Sequence, residues 1–200
     1  MDIVSMVATS LGISDLANNL VPTEDQLVDL VNAAMMKVIR TELDVNPLGL
    51  PELHSVSDAD PVTDGEIEVS DCVKVLGVAV RDGSGSEVNA DYYPLHEYHS
   101  RVAHERSDKP IYTELSNATA PAAANKVIVA VHYSEATDLN AKVHFVHLPG
   151  DYDSDGADSS WPPPARLEGD IFETALAYAM FSDHRQEGLG MMQIVRGGKK

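Results

Sequence analysis

The chain has 200 residues, 44% of them hydrophobic, and a formal net charge of −18 from 32 acidic and 14 basic side chains. This length suits one domain, or one domain with a large insertion, and the hydrophobic share suffices for a core. The charge balance excludes a protein that wraps nucleic acid, which needs clustered Lys and Arg; no apolar run is long enough to cross a membrane, and the single Cys72 has no partner for an internal disulfide.

The N-terminus carries Asp2 where a secretory leader would carry basic residues, so no signal peptide is expected. Ile3, Met6, Val7, Leu11, Ile13, Leu16 and Leu20 predict a short helix, broken near Gly12. The first long helix is predicted from Thr23 to Leu43. Leu27, Leu30, Val31, Ala34, Met35, Val38 and Ile39 form its apolar stripe, and Thr23 with Gln26 forms a capping box. Glu24 and Asp25 suit its positive end, and Lys37 and Arg40 fall toward its negative end. Pro47, Gly49, Pro51, Pro61 and Gly65 predict loop or extended edge from 44 to 65.

Strands are predicted at Glu66–Ser70, Cys72–Val80, Val88–Tyr93, Ile111–Leu115, Lys126–Tyr133 and Ala141–Leu148. Asp82–Ser86 reads as a hairpin turn. The stretch Pro94–Asp108 is polar, holds three histidines and shows no period. Residues 149–165 form an acidic loop that ends in Pro162–Pro164, a stiff entry to a second helix from Arg166 to Glu187. Its apolar residues are Leu167, Ile171, Ala175, Tyr178, Ala179 and Phe181, and Gly188 suits its C-terminal cap. The expected fold is α+β. N- and C-terminal helices (1–43 and 166–195) form a small helical bundle, a mostly antiparallel sheet region (44–165) is inserted between them, and 196–200 is a basic tail.

No constellation announces catalysis. Cys72 lies in an apolar run and reads as a small buried hydrophobe. His96, His99 and His104 match no zinc-binding pattern, and His144 and His147, three apart on a strand, point to opposite faces. Asp151, Asp153, Asp155 and Gly156 spell DxDxDG, the opening of a calcium loop in which alternate carboxylates turn toward a hard cation. Pro162 stands where the closing bidentate Glu belongs, so a flexible acidic loop is favoured over a calcium site there. Asp183 and Glu187, four apart with His184 and Arg185, read as a solvated helix face. The net charge suits a solvated surface, a wall past which a polyanion slides without sticking, or a salt-adapted protein.

The order helix, Pro/Gly loop, strands, Tyr93-Pro94-Leu95, Tyr98, Lys109-Pro110-Ile111-Tyr112, two further strands ending at Leu148-Pro149, and a closing helix resembles the phage head-to-tail adaptors. The resemblance spans residues 20–190 and rests on layout and turn residues. It implies a non-enzymatic virion protein, assembled in the host cytoplasm into the phage neck. There a homo-oligomeric ring, commonly of twelve copies, joins the portal protein to the tail proteins, and DNA passes through its lumen without specific binding. Such a protein needs no cofactor and no membrane. The tail residues Arg196, Lys199 and Lys200, with Tyr98 and Tyr112, are the candidate partner-binding residues. The competing expectations are a calcium-stabilised binding module and a metal-dependent hydrolase.

Overall fold

A computed structural model describes residues 2–15, 22–57, 60–63, 65–81, 85–103, 109–115, 126–133, 139–153, 156–157 and 161–182. The chain divides into two compact units, residues 1–52 with 149–200 and residues 53–148.

In the first unit, helix α1 (Ile3–Ser10) begins at Asp2, whose carboxylate accepts from the N–H groups of Val4 and Ser5. It ends at Gly12, whose φ of 80° permits a left-handed cap: Ile13 N–H donates to Ala8 O and Gly12 N–H to Thr9 O. Helix α2 (Glu24–Val45) starts at the expected capping box, with Gln26 N–H donating to Thr23 Oγ1 at 3.3 Å and Thr23 N–H to Gln26 Oε1 at 3.0 Å. It runs two residues beyond the predicted end. Lys37 and Arg40 therefore lie short of its last turn, which holds no basic residue. Its stripe is buried at Leu27, Val31, Ala34, Met35, Ile39 and Leu43.

Two further parts of this unit pack with α2. Asn32 reaches from it to residues 149–153: its amide donates to Tyr152 O at 3.0 Å and accepts from Tyr152 N–H at 2.8 Å. One side chain thus satisfies both backbone groups of Tyr152, which is buried. The acidic loop is therefore anchored at this point. The closing helix (Glu168–Ser182), called α4 below, packs against α1 and α2. Ile171, Ala175, Leu176, Ala177 and Ala179 are buried, whereas Phe181, expected on the stripe, is 53% exposed.

The second unit holds strands β1 (His54–Val56), β2 (Asp60–Pro61), β3 (Glu66–Val69), β4 (Cys72–Arg81), β5 (Glu87–Tyr92), helix α3 (Leu95–Ala103), then β6 (Ile111–Leu115), β7 (Val127–His132) and β8 (Asn140–His147). They form one sheet in the order β1-β8-β4-β5-β6-β7-β3, with β2 also on β8. Strands β9 (Tyr152–Asp153) and β10 (Gly156–Ala157), in the first unit, pair as a separate hairpin.

This sheet corrects the expected architecture. The protein is α+β, but a mixed sheet curled into a half-barrel dominates it, in place of an antiparallel insert on a small bundle, and a helix lies between strands. The parallel pair is β5–β6, because α3 carries the chain back across the sheet between them. Helix α3 occupies the stretch expected to lack a period. Leu95, Tyr98 and Val102 do follow helical spacing there, but only Tyr98 is buried. Residues 44–65, expected as loop or extended edge, supply two short strands, β1 and β2, on β8.

The curl follows from the ladder between β4 and β8. Eight residue pairs match, and two bulges, at Val73 and Leu76, each insert one residue into β4. Without them, strict alternation would send Cys72 and Val75 to opposite faces. With them, Cys72, Val75, Val78 and Val80 all meet one core with Ala141, Val143 and Phe145 of β8. That core also takes Ile67 and Val69 from β3, Tyr112 from β6, and Val129 and Val131 from β7. Strand β3 ends the sheet order, yet only Ser70 and Asp71 join it to β4. So short a link spans about 10 Å at most, which draws that edge back onto the interior. Asp71 takes φ 51° to make the turn, and its carbonyl accepts from Leu148 N–H at 2.6 Å.

Two substitutions test these assignments by urea denaturation. Asn32→Ala strips both backbone groups of Tyr152 of their partners and is expected to cost about 1–3 kcal/mol. Phe145→Ala empties the half-barrel interior and is expected to cost about 3–5 kcal/mol.

Candidate functional site

Two surface corners present apolar side chains on firmly built turns. The first follows α2. Gly49 N–H donates to Asn46 O at 2.8 Å, closing a β-turn, while Asn46 Oδ1 accepts from Leu48 N–H at 3.2 Å. Pro47 at the second position presets its φ, and Gly49 at the fourth sits so close to Asn46 that a Cβ would lie 3.0 Å from Asn46 O. Arg166 braces the turn, donating to Glu42 Oε1 at 3.2 Å and to Gly49 O. On this braced corner Val45 is 74% exposed and Leu48 65% exposed.

The second corner lies where β5 gives way to α3. Tyr93 N–H donates to Tyr112 O at 2.9 Å, and the Arg101 guanidinium stacks over the Tyr93 ring at 4.0 Å. Pro94 O accepts from Glu97 N–H and Tyr98 N–H, both at 2.9 Å, and so starts the helix. Tyr92 and Leu95, on either side of Tyr93-Pro94, are 53% and 44% exposed. Asp91, His96 and Glu97 are exposed around them, giving an apolar spot with a polar rim.

The groups nearest to a reactive set stand around the half-barrel interior: Cys72 is buried, His147 half-buried and Glu114 exposed. Cys72 pairs directly with His147 across β4 and β8, and Glu114 of β6 acts electrostatically on Cys72. A nucleophilic cysteine needs a thiolate and a base. Burial, reinforced by Glu114, instead pushes the Cys72 thiol up to about 12. His147 directs Nδ1 at the carbonyl oxygen of Leu148 and lies beside the Phe145 ring, with centroids 6.1 Å apart. Glu114 is itself raised above the ordinary carboxylate value by partial burial, against the opposing pull of Lys74. The arrangement holds a neutral, packed thiol and supplies no activated nucleophile.

Of the sequence-predicted site residues, Tyr98, Tyr112, Asp151 and Asp153 lie among the described ones. Tyr98 is buried beneath α3, and Tyr112 is buried in the half-barrel interior with its ring 5.4 Å from Tyr92, edge to face. The exposed aromatic at that corner is Tyr92. Asp151 is exposed, and Asp153 stands on β9 opposite Gly156. Asp155, His104, His184, Gly188, Arg196, Lys199 and Lys200 lie outside the described residues. Among the described residues, no three His, Cys, Asp or Glu side chains converge to hold a metal ion. His96 and His99 are exposed on α3, and His144 is exposed on β8. No helix among the described residues is long and apolar enough to cross a membrane.

Val45 and Leu48 were not singled out from sequence. The signal for them is Asn46-Pro47-Leu48-Gly49, a turn motif with an apolar residue at its third position. No protein-family model matches the chain, and comparison with curated proteins yields no match.

Two measurements check the electrostatics. Because the folded state raises the Cys72 pKa from 9.0 to about 12, and that of Tyr152 from 10.0 to about 12, their contribution to stability is fully present below pH 9 and lost as pH rises toward 12. Thiol labelling of the native protein at pH 8 is expected to run about a thousandfold slower than in urea. For Glu114, also raised, stability is fullest below its ordinary value and falls as pH climbs through the folded one. Glu114→Gln is therefore expected to raise the Tm at pH 7 and leave it unchanged at pH 4.

Proposed function

We propose that this chain is a non-enzymatic virion adaptor, a head-to-tail connector that works by assembling copies of itself into a ring between portal and tail. A cyclic ring uses heterologous contacts, so every subunit must offer two different patches. The observation that carries the reading is that each unit supplies one: Val45 and Leu48 on the braced turn after α2, and Tyr92 and Leu95 at the start of α3. Both are held by hydrogen bonds or stacking and so cost little ordering entropy on docking. The net charge of −18 supports passage of DNA through a lumen, because an acidic surface releases no phosphate counterions and does not trap the duplex. The chain order described above, from the first long helix through the strands to the closing helix, supports the same assignment. The basic tail residues Arg196, Lys199 and Lys200, opposite in charge to the body of the chain, suit docking on a partner.

Mass photometry of the protein alone, and mixed with a portal, tests the reading. Rings of about twelve copies are expected in at least one condition, and persistent monomer in both overturns it. The double substitution Val45→Asp with Leu48→Asp is expected to abolish the ring while changing monomer stability by no more than about 0.5 kcal/mol.

A further inference from the structure

On the outer face of β6 and β7, against which α3 packs, two polar atoms are buried without a hydrogen-bond partner among the described residues: Oγ1 of Thr113, a residue only 1% exposed, and Nε2 of His132. The strand register places them together. Thr113 pairs with Ala130 and Ile111 pairs with His132, so Thr113 and His132 are diagonal neighbours on one face, with Ala130 beside both. Helix α3 lays Tyr98 against Ile111 and Ala130 and roofs the spot. On the other flank of Ala130 stands Glu66 of β3, whose charge acts on the Tyr98 phenol.

Buried hydroxyls and ring nitrogens in folded proteins find a partner in protein or in ordered water. An isolated orphan is a local cost, whereas two on adjacent strands under one roof indicate a shared partner. Diagonal cross-strand positions stand about 7–8 Å apart at Cα, and the small Ala130 side chain fills little of that span. The partner must be small, because Thr113, Ile111, Ala130 and Tyr98 are all buried around it. A partner able both to donate and to accept satisfies the hydroxyl and the imidazole nitrogen in either tautomer. The nearby carboxylate of Glu66 disfavours an anion, and no metal-ligating trio stands among the described residues. Water meets each requirement.

We propose that Thr113 Oγ1 and His132 Nε2 form a built site for one bound water molecule, which bridges β6 to β7 under α3. Since α3 leads away from the Tyr92–Leu95 corner, the bridged floor holds that corner in place. The site stands independently of the adaptor reading and survives its failure.

Thr113→Val tests it, because valine keeps the shape and removes the hydroxyl. Loss of the bridge leaves His132 Nε2 unsatisfied, and the folding equilibrium constant is expected to fall about tenfold, with a lower Tm. An unchanged or raised Tm means that the hydroxyl held nothing, and overturns the proposal. Combined with His132→Phe, the two losses are expected to be less than additive; strict additivity overturns the shared bridge. A crystal structure of the unsubstituted protein decides the matter if either variant fails to fold. A water within hydrogen-bond distance of both atoms supports the site, and its absence in density that shows other buried waters overturns it.

Discussion

The β4–β8 ladder is the constraint on which the sheet unit depends. It is the longest pairing among the described residues, and its two bulges decide which side chains enter the core. Each bulge shifts the parity of β4 by one residue, so that side chains three apart share a face. The resulting row, Cys72, Val75, Val78 and Val80, lines the interior beside Ala141, Val143 and Phe145. Bulges also add local twist, which bends the strand toward a curl. The Ser70–Asp71 link then keeps the β3 edge near the start of β4, so that Ile67 and Val69 share one interior with β4 and β8.

Several other features follow from that curl. The interior face is apolar enough to hold Cys72 as a neutral thiol, which removes it from nucleophilic chemistry. The outer face of β6 and β7 needs its own cover, and α3 provides it with a single buried aromatic, Tyr98. The same crossover forces β5 and β6 to run parallel and leaves Tyr92 and Leu95 exposed where the chain turns into the helix. Thr113 and His132 lie on that same outer face.

The helical unit is held by a different device. Its apolar helix faces pack in the ordinary way, but its connections are fixed by single polar side chains. Asn32 pairs with both backbone groups of Tyr152, and Arg166 ties Glu42 to the Asn46–Gly49 turn. Arg166 and the turn's own two hydrogen bonds hold Val45 and Leu48 in their exposed positions.

Much of the local structure was legible in the residues alone. The capping box at Thr23 and Gln26, the buried stripe of α2, the six main strands and the inert character of Cys72 follow from spacing, propensity and composition, which act over a few neighbouring residues. Helix α3 was not legible, because its three apolar residues are outnumbered by histidines and charges and only contact with β6 makes it worth forming. The candidate corners were also hidden, since exposure of Leu48 or burial of Tyr98 depends on what packs nearby. The sheet order, the parallel pair and the parity shifts in β4 were decided by tertiary structure alone. They join residues far apart in the chain, and no local pattern records which strand a bulge must accommodate.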